Sequence, residues 1–86
     1  MAKLDILYFA WVREAIGKDG ETIEHPGADM TIGALVEQLS GQGAGYAEAF
    51  ASPEKLRAAL DQNFVPLETP LSDARELALF PPVTGG

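Results

Sequence analysis

The sequence predicts a small α+β domain in which a short sheet is covered on one face by one main helix. Three observations carry this. Segments with the period of a strand lie near both ends of the chain, one strongly amphipathic helical stretch lies between them, and 86 residues leave room for a single core. A domain of this size hides only about 60–65% of the surface its unfolded chain exposes, so little beyond one helix on one sheet can be built.

In residues 3–10, KLDILYFA, Leu4, Ile6 and Tyr8 alternate with Asp5, Leu7 and Phe9, which is strand period. WVREAIGKDG (11–20) spaces Val12 and Ile16 four apart and stops at Gly17, predicting a helical turn and then a bend. ETIEH (21–25) reads as a short returning strand closed by Pro26. The clearest helix is 31–40: Thr31 can cap it, Ile32, Leu35, Val36 and Leu39 form one stripe, and Gly41 ends it. YAEAFASPEKL (46–56) predicts a weak helical segment broken near Pro53. A strand over 56–67, interrupted around Asn63, runs into the turn-formers ETPLSDARE, and ELALF (76–80) is the last strand. The folded domain is therefore expected over 1–80, with an extended tail over 81–86.

Period 2 leaves two phenylalanines out of phase with the core. If Leu4, Ile6 and Tyr8 face the helix, Phe9 falls on the open side of the sheet; if Leu77 and Leu79 face the core, so does Phe80. Phe64 can join them from the interrupted strand. Exposed aromatics of this kind mark a contact surface.

Composition excludes several function classes. Without cysteine there is no disulfide framework, thiolate zinc site or cysteine nucleophile, and the cytoplasm is the expected compartment. No apolar stretch approaches a membrane span, and no secretory leader is visible. Thirteen acidic against six basic residues give a net charge of −7, which argues against nucleic acid or anionic membranes and for an electropositive protein partner. The single histidine, His25, precedes a proline and reads as a surface turn residue. No Ser or Thr has an obvious base partner, and the carboxylates lack metal-ligand spacing, so neither a metal nor a cofactor is expected on this chain. The glycines of GQGAGY (41–46) follow a helix, not a strand, which is the wrong context for a phosphate loop. Trp11 and Tyr46 read as core or edge packing.

The remaining chemistry lies in LFPPVTGG (79–86). Pro81 and Pro82 favour an extended chain held off the domain, and Gly85 and Gly86 can thread a channel too narrow for side chains. Such a tail delivers a carboxylate to another protein's active site. The carboxylate is inert until coupled to ATP, after which a sulfur donor can displace AMP and leave a thiocarboxylate.

ILYFAWVREAIG near the start and LSDARELALFPPVTGG at the end, with a looser match at RAALDQNFV, resemble the small, sulfur-carrying subunits of molybdopterin synthase. These are ubiquitin-like β-grasp proteins. The resemblance implies that the Gly86 carboxylate is adenylated and thiocarboxylated by an E1-like activating enzyme, which uses the ATP. The tail, with Gly85 threading the channel, then enters the large synthase subunit, where sulfur passes to cyclic pyranopterin monophosphate. It also implies a heterotetrameric synthase in which Phe9, Arg13, Phe64, Phe80, Pro81, Pro82 and Val83 meet the large subunit. The sequence departs from the family pattern at Asp61, where asparagine is common, and at Ala74-Arg75, where a Gly-acid turn is usual. Two other readings remain at this point: a sulfur carrier for thiamine or tRNA thiolation, and a ubiquitin-like protein modifier.

Overall fold

The alternation at the start of the chain sets the geometry of the whole molecule. A computed structural model describes residues 2–82. Strand β1 (Lys3–Tyr8) buries Leu4, Ile6 and Tyr8 almost completely on one face, as the period requires. It pairs antiparallel with β2 (Gly20–Glu24) and parallel with β5 (Glu76–Phe80). On the other side of β5 stands an antiparallel hairpin of β3 (Arg57–Leu60) and β4 (Asn63–Val65), giving a mixed sheet in the order β2-β1-β5-β3-β4. The register places Ile6 beside Leu77 and Tyr8 beside Leu79, so the two central strands present one continuous apolar face.

Helix α2 (Ile32–Ser40) covers that face. Thr31 caps it by accepting the Ala34 N–H at 3.1 Å, satisfying a donor that the helix cannot. Its stripe of Ile32, Leu35, Val36 and Leu39 is buried in one cluster with Leu4, Ile6, Leu77 and Leu79. Each such side chain contributes about 1.5–3 kcal/mol on burial, so this face holds most of the driving force for folding.

Two shorter helices complete the covered side: α1 (Ala10–Ile16) and α3 (Ala44–Ala49). Gly17 ends α1 at φ +86°, donating its N–H to the Arg13 carbonyl at 2.7 Å. At Gly45 an added Cβ would lie 2.4 Å from the Ala15 carbonyl oxygen, so the α1–α3 approach depends on glycine.

Two expectations need correction, and the choice left open for Trp11 is resolved. The strand expected to be interrupted at Asn63 is a hairpin whose turn comes earlier, at Asp61 and Gln62, both at positive φ (48° and 72°), the conformation that a two-residue turn between twisted strands requires. The helical segment expected over 46–56 is α3, which starts at Ala44 and ends at Ala49, followed by a separate 3-10 turn, Pro53–Lys55; proline at the start of that turn has no amide to offer α3. Trp11 is 39% exposed and lies outside the core, because α1 turns only Val12 fully inward.

Candidate functional site

The outer face of the sheet is built by the residues that alternate with the core. The register brings Leu7, Ala78 and Ala59 side by side on β1, β5 and β3, with Phe64 opposite Ala59 on β4 and Phe80 two residues beyond Ala78. Ala59 and Ala78 are buried, 4% and 9% exposed, yet neither belongs to the cluster beneath α2. Above them, the rings of Phe64 and Phe80 come together at 5.5 Å between centroids. The small side chains on β3 and β5 leave the space in which rings from two non-adjacent strands can meet.

Phe64 is 83% exposed, the most exposed of the large hydrophobic side chains among the described residues, and with Phe80 it forms an apolar patch. Phe80 is half-buried. Phe9 is 45% exposed, although it reaches the surface by a different route from the one its phase suggests. It lies past the end of β1 and serves as the N-cap residue of α1, held by its N–H to the Leu79 carbonyl at 3.2 Å. That bond fixes Phe9 beside the end of β5, where Phe80 leads into Pro81 and Pro82. Arg13 stands one helical turn beyond Phe9, exposed and loosely paired with Asp19 at 3.9 Å. Phe9, through its bond to Leu79, and the Phe64–Phe80 pair thus both border the end of β5, where Pro81 and Pro82 follow; Val83, Gly85 and Gly86 lie outside the described residues.

The two departures from the family pattern have local explanations. Asp61 Oδ1 accepts the N–H groups of both Arg75 and Glu76, at 3.0 and 3.1 Å, tying the hairpin turn to the start of β5. The turn before β5 is made by Ser72 at φ 52°, and Ala74 is buried beneath it. His25 is partly buried rather than a free surface residue: its Nδ1 accepts the Gly27 N–H at 3.1 Å, and its Nε2 is buried without a partner among the described residues.

On the covered side, a carboxylate network locks α3 against the sheet. Glu21 Oε2 accepts from the hydroxyls of Tyr8 and Tyr46, both at 2.7 Å, while Lys18 Nζ donates to Tyr46 at 3.0 Å and to Glu21 at 3.4 Å. Burial alone would raise the Glu21 pKa, but the two phenol bonds and Lys18 outweigh it and hold the carboxyl below its ordinary value. Burial, followed by the bond to Glu21, pushes the Tyr8 hydroxyl well above the ordinary phenol range. Tyr46 packs edge-on to Tyr8 at 6.5 Å, the edge packing its sequence position suggests. Both carboxylate oxygens of Glu21 and both phenol hydroxyls are engaged, so the cluster braces α3 and β2 against β1.

Among the described residues, no three His, Asp or Glu side chains come close enough to hold a metal ion, and no helix is long and apolar enough to cross a membrane. The profile of the ThiS family matches residues 6–86. The chain belongs to the ThiS family. It is 40% identical over 84 residues to the molybdopterin synthase sulfur carrier subunit of Escherichia coli (strain K12), covering 96% of this chain and 99% of that protein. Among solved structures it resembles a putative molybdopterin converting factor, subunit 1, from Pyrococcus furiosus, with a TM-score of 0.71, 25% identity, and coverage of 96% of this chain and 100% of that one. A Caldiarchaeum subterraneum ubiquitin superposes with a TM-score of 0.58 at 17% identity over 99% of this chain and 98% of that one, a likeness of fold alone. This ThiS-family chain therefore has the ubiquitin-like β-grasp fold.

What the sequence did not reveal about the site is the pair Ala59 and Ala78. Their phase was readable in RAAL and ELALF, but only the order of the strands shows that they lie side by side beneath two phenylalanines.

Proposed function

We propose that this chain is the sulfur-carrier subunit of a molybdopterin synthase. The observation that carries the reading is the apolar patch of Phe9, Phe64 and Phe80 at the root of the tail, in a ThiS-family chain 40% identical to a carrier subunit of that synthase. A modifier or a free-standing carrier needs the tail; a subunit also needs a face on which its partner sits. The large subunit docks on the patch, with Pro81, Pro82 and Val83 guiding Gly85 and Gly86 into it.

The chemistry resides in the carboxylate of Gly86. An activating enzyme joins it to the α-phosphate of ATP, releasing pyrophosphate and forming an acyl-adenylate. A sulfur donor attacks the acyl carbon, AMP leaves, and a thiocarboxylate remains. In the large subunit the thiocarboxylate sulfur bonds to cyclic pyranopterin monophosphate, and water then hydrolyses the acyl–sulfur bond, leaving the sulfur on the pterin and restoring the Gly86 carboxylate. A dithiolene needs two sulfurs and each tail carries one, so two loaded carriers serve each product. Pterin binding and proton transfer fall to the partner, since this chain supplies docking and cargo.

Mass spectrometry of the chain after incubation with its activating enzyme, ATP and a sulfur donor tests the reading. The expected product carries sulfur in place of one terminal oxygen and forms dithiolene when mixed with the large subunit and the pterin. Loading without dithiolene formation would point to the thiamine or tRNA carrier reading, and isopeptide adducts on lysines to the modifier reading.

A further inference from the structure

A hollow borders Pro81 and Pro82, next to the phenylalanine patch. It has a volume of about 750 Å³ and runs between α1 and the 3-10 turn, lined chiefly by Trp11, Glu48, Ser52, Lys55, Pro81 and Pro82. Trp11 and Glu48 line it and also line a smaller hollow, together with Glu14 and Ala15. Glu14 lies three residues from Trp11 on the same helical face, so Trp11 shares the smaller hollow with two carboxylates. Neither Glu14 nor Glu48 has a hydrogen bond or salt bridge from its side chain among the described residues, and the indole N–H has no acceptor there. Lys55, the one cation lining the larger hollow, gives it a polarity: a cationic visitor is favoured at the Glu14 and Glu48 end and repelled from the other.

We propose that this groove takes a lysine or arginine side chain presented by the large synthase subunit, its cationic head against the Trp11 indole between Glu14 and Glu48. Two observations select that occupant. An aromatic face flanked by two unpaired carboxylates in a chain of net charge −7 complements a cation, through the ring quadrupole and through charge. The groove is also continuous with the patch assigned to the large subunit, because Phe9 begins the helix that carries Trp11 and Pro81 directly follows Phe80. A partner that encloses the tail from the sheet side reaches the groove by wrapping round its root. The proposal rests on the large-subunit reading above.

The experiment is a binding titration of the full-length chain with the purified large subunit, and separately with the activating enzyme, at low and high salt, with circular dichroism confirming the fold. Trp11→Ala is expected to weaken large-subunit binding about tenfold, as for an interface aromatic. The exposed pair Glu14→Gln with Glu48→Gln should weaken it several-fold at low salt and little at high salt, while activating-enzyme binding stays unchanged. Phe80→Ala is the comparator. If Phe80→Ala weakens the complex while Trp11→Ala and the Glu pair do not, the groove assignment is overturned and the synthase reading survives. Loss confined to the activating enzyme overturns the choice of occupant. If neither Trp11→Ala nor Phe80→Ala affects large-subunit binding, the patch reading itself falls.

Discussion

Phe64 and Phe80 lean on each other over the outer face of the sheet, 5.5 Å apart and inclined at 47°, although one belongs to the edge strand β4 and the other to β5. β3 lies between them, and the contact exists because Ala59 fills so little of the space above it. The pair divides its labour: Phe80 shelters the alanines beneath, and Phe64 is left almost wholly to solvent or to a partner.

That division predicts different costs for the two rings. Phe64→Ala should change unfolding free energy by about 0.5 kcal/mol or less while weakening the large-subunit complex by about 1–3 kcal/mol, the signature of an interface anchor. Phe80→Ala should weaken the complex similarly, with an added loss of stability because Phe80 is half-buried. Paired denaturation and binding titrations decide it; a Phe64 variant that is destabilised but binds normally would mean that the ring serves the fold.

The hairpin turn offers a test of backbone conformation. Gln62 holds φ at 72°, which costs a side-chain-bearing residue about 1–2 kcal/mol, partly offset by the extra entropy glycine loses on folding. Gln62→Gly should therefore stabilise the domain by about 0.5–1 kcal/mol. Asp61→Ala should destabilise it by about 1–2 kcal/mol, since the amides of Arg75 and Glu76 lose their acceptor, whereas Asp61→Asn keeps an oxygen there and should stay near the wild type. Urea denaturation with matched slopes measures all three.

Much of this was legible beforehand, and the reasons are uneven. Leu4, Ile6, Tyr8, Leu77 and Leu79 were placed correctly because strand period is a local property that a single face of burial enforces. The stripe of α2 and its Thr31 cap were readable for the same reason. The hairpin turn was misplaced because Asp-Gln is a weak turn signal beside Asn-Gly, and its positive φ values are sustained by bonds from Asp61 to β5, which no local pattern records. Between core and edge packing for Trp11 the sequence could not choose, because seven residues of helix give too short a stripe to tell the buried side from the open one. The phenylalanine patch was half legible: phase pointed outward for Phe80, but its contact with Phe64 depends on strand order.

Glu21 makes acid sensitivity predictable. Its pKa is lowered on folding, so its contribution is fully present above the ordinary carboxylate value of about 4.5 and is lost as pH falls through the lower folded value. Glu21→Gln should cost about 1–2 kcal/mol near neutrality, from the weakened bonds to Tyr8 and Tyr46, and almost nothing in strong acid. Thermal melts from neutral pH down to strong acid should show the two proteins converging as the pH falls below the ordinary carboxylate range. Parallel curves would mean that Glu21 is not the titrating group.

Charge should act on the rate of encounter more than on the lifetime of the complex. With a net charge of −7 and the carboxylates mostly exposed, steering operates through a screened field. Raising salt should slow association with the large subunit more than it speeds dissociation, as read by stopped-flow mixing. A salt-independent association rate would remove electrostatic steering from the account.

The tail supplies the most direct test of the chemistry. If the Gly86 carboxylate is the reacting group, deleting Gly86 or adding one residue after it should leave the folded domain intact, because the sheet and helices already close through Phe80. Sulfur transfer should nonetheless collapse. One residue moves the reacting carbon by about 3.5 Å along an extended chain, while acyl transfer tolerates misplacements of only about 1 Å. Gly85→Val should fail by another route, keeping the carboxylate at the right distance but presenting a branched side chain to a channel sized for none. The two failures separate by stage: the length variants disrupt transfer wherever an active site measures the position of the carbon, whereas the valine variant fails at whichever partner has the narrower channel. Dithiolene formation in a reconstituted synthase, with loading followed by mass spectrometry and folding by circular dichroism, reads both. Full transfer by the one-residue extension, with the added residue still attached, would show that Gly86 is not the reactive end.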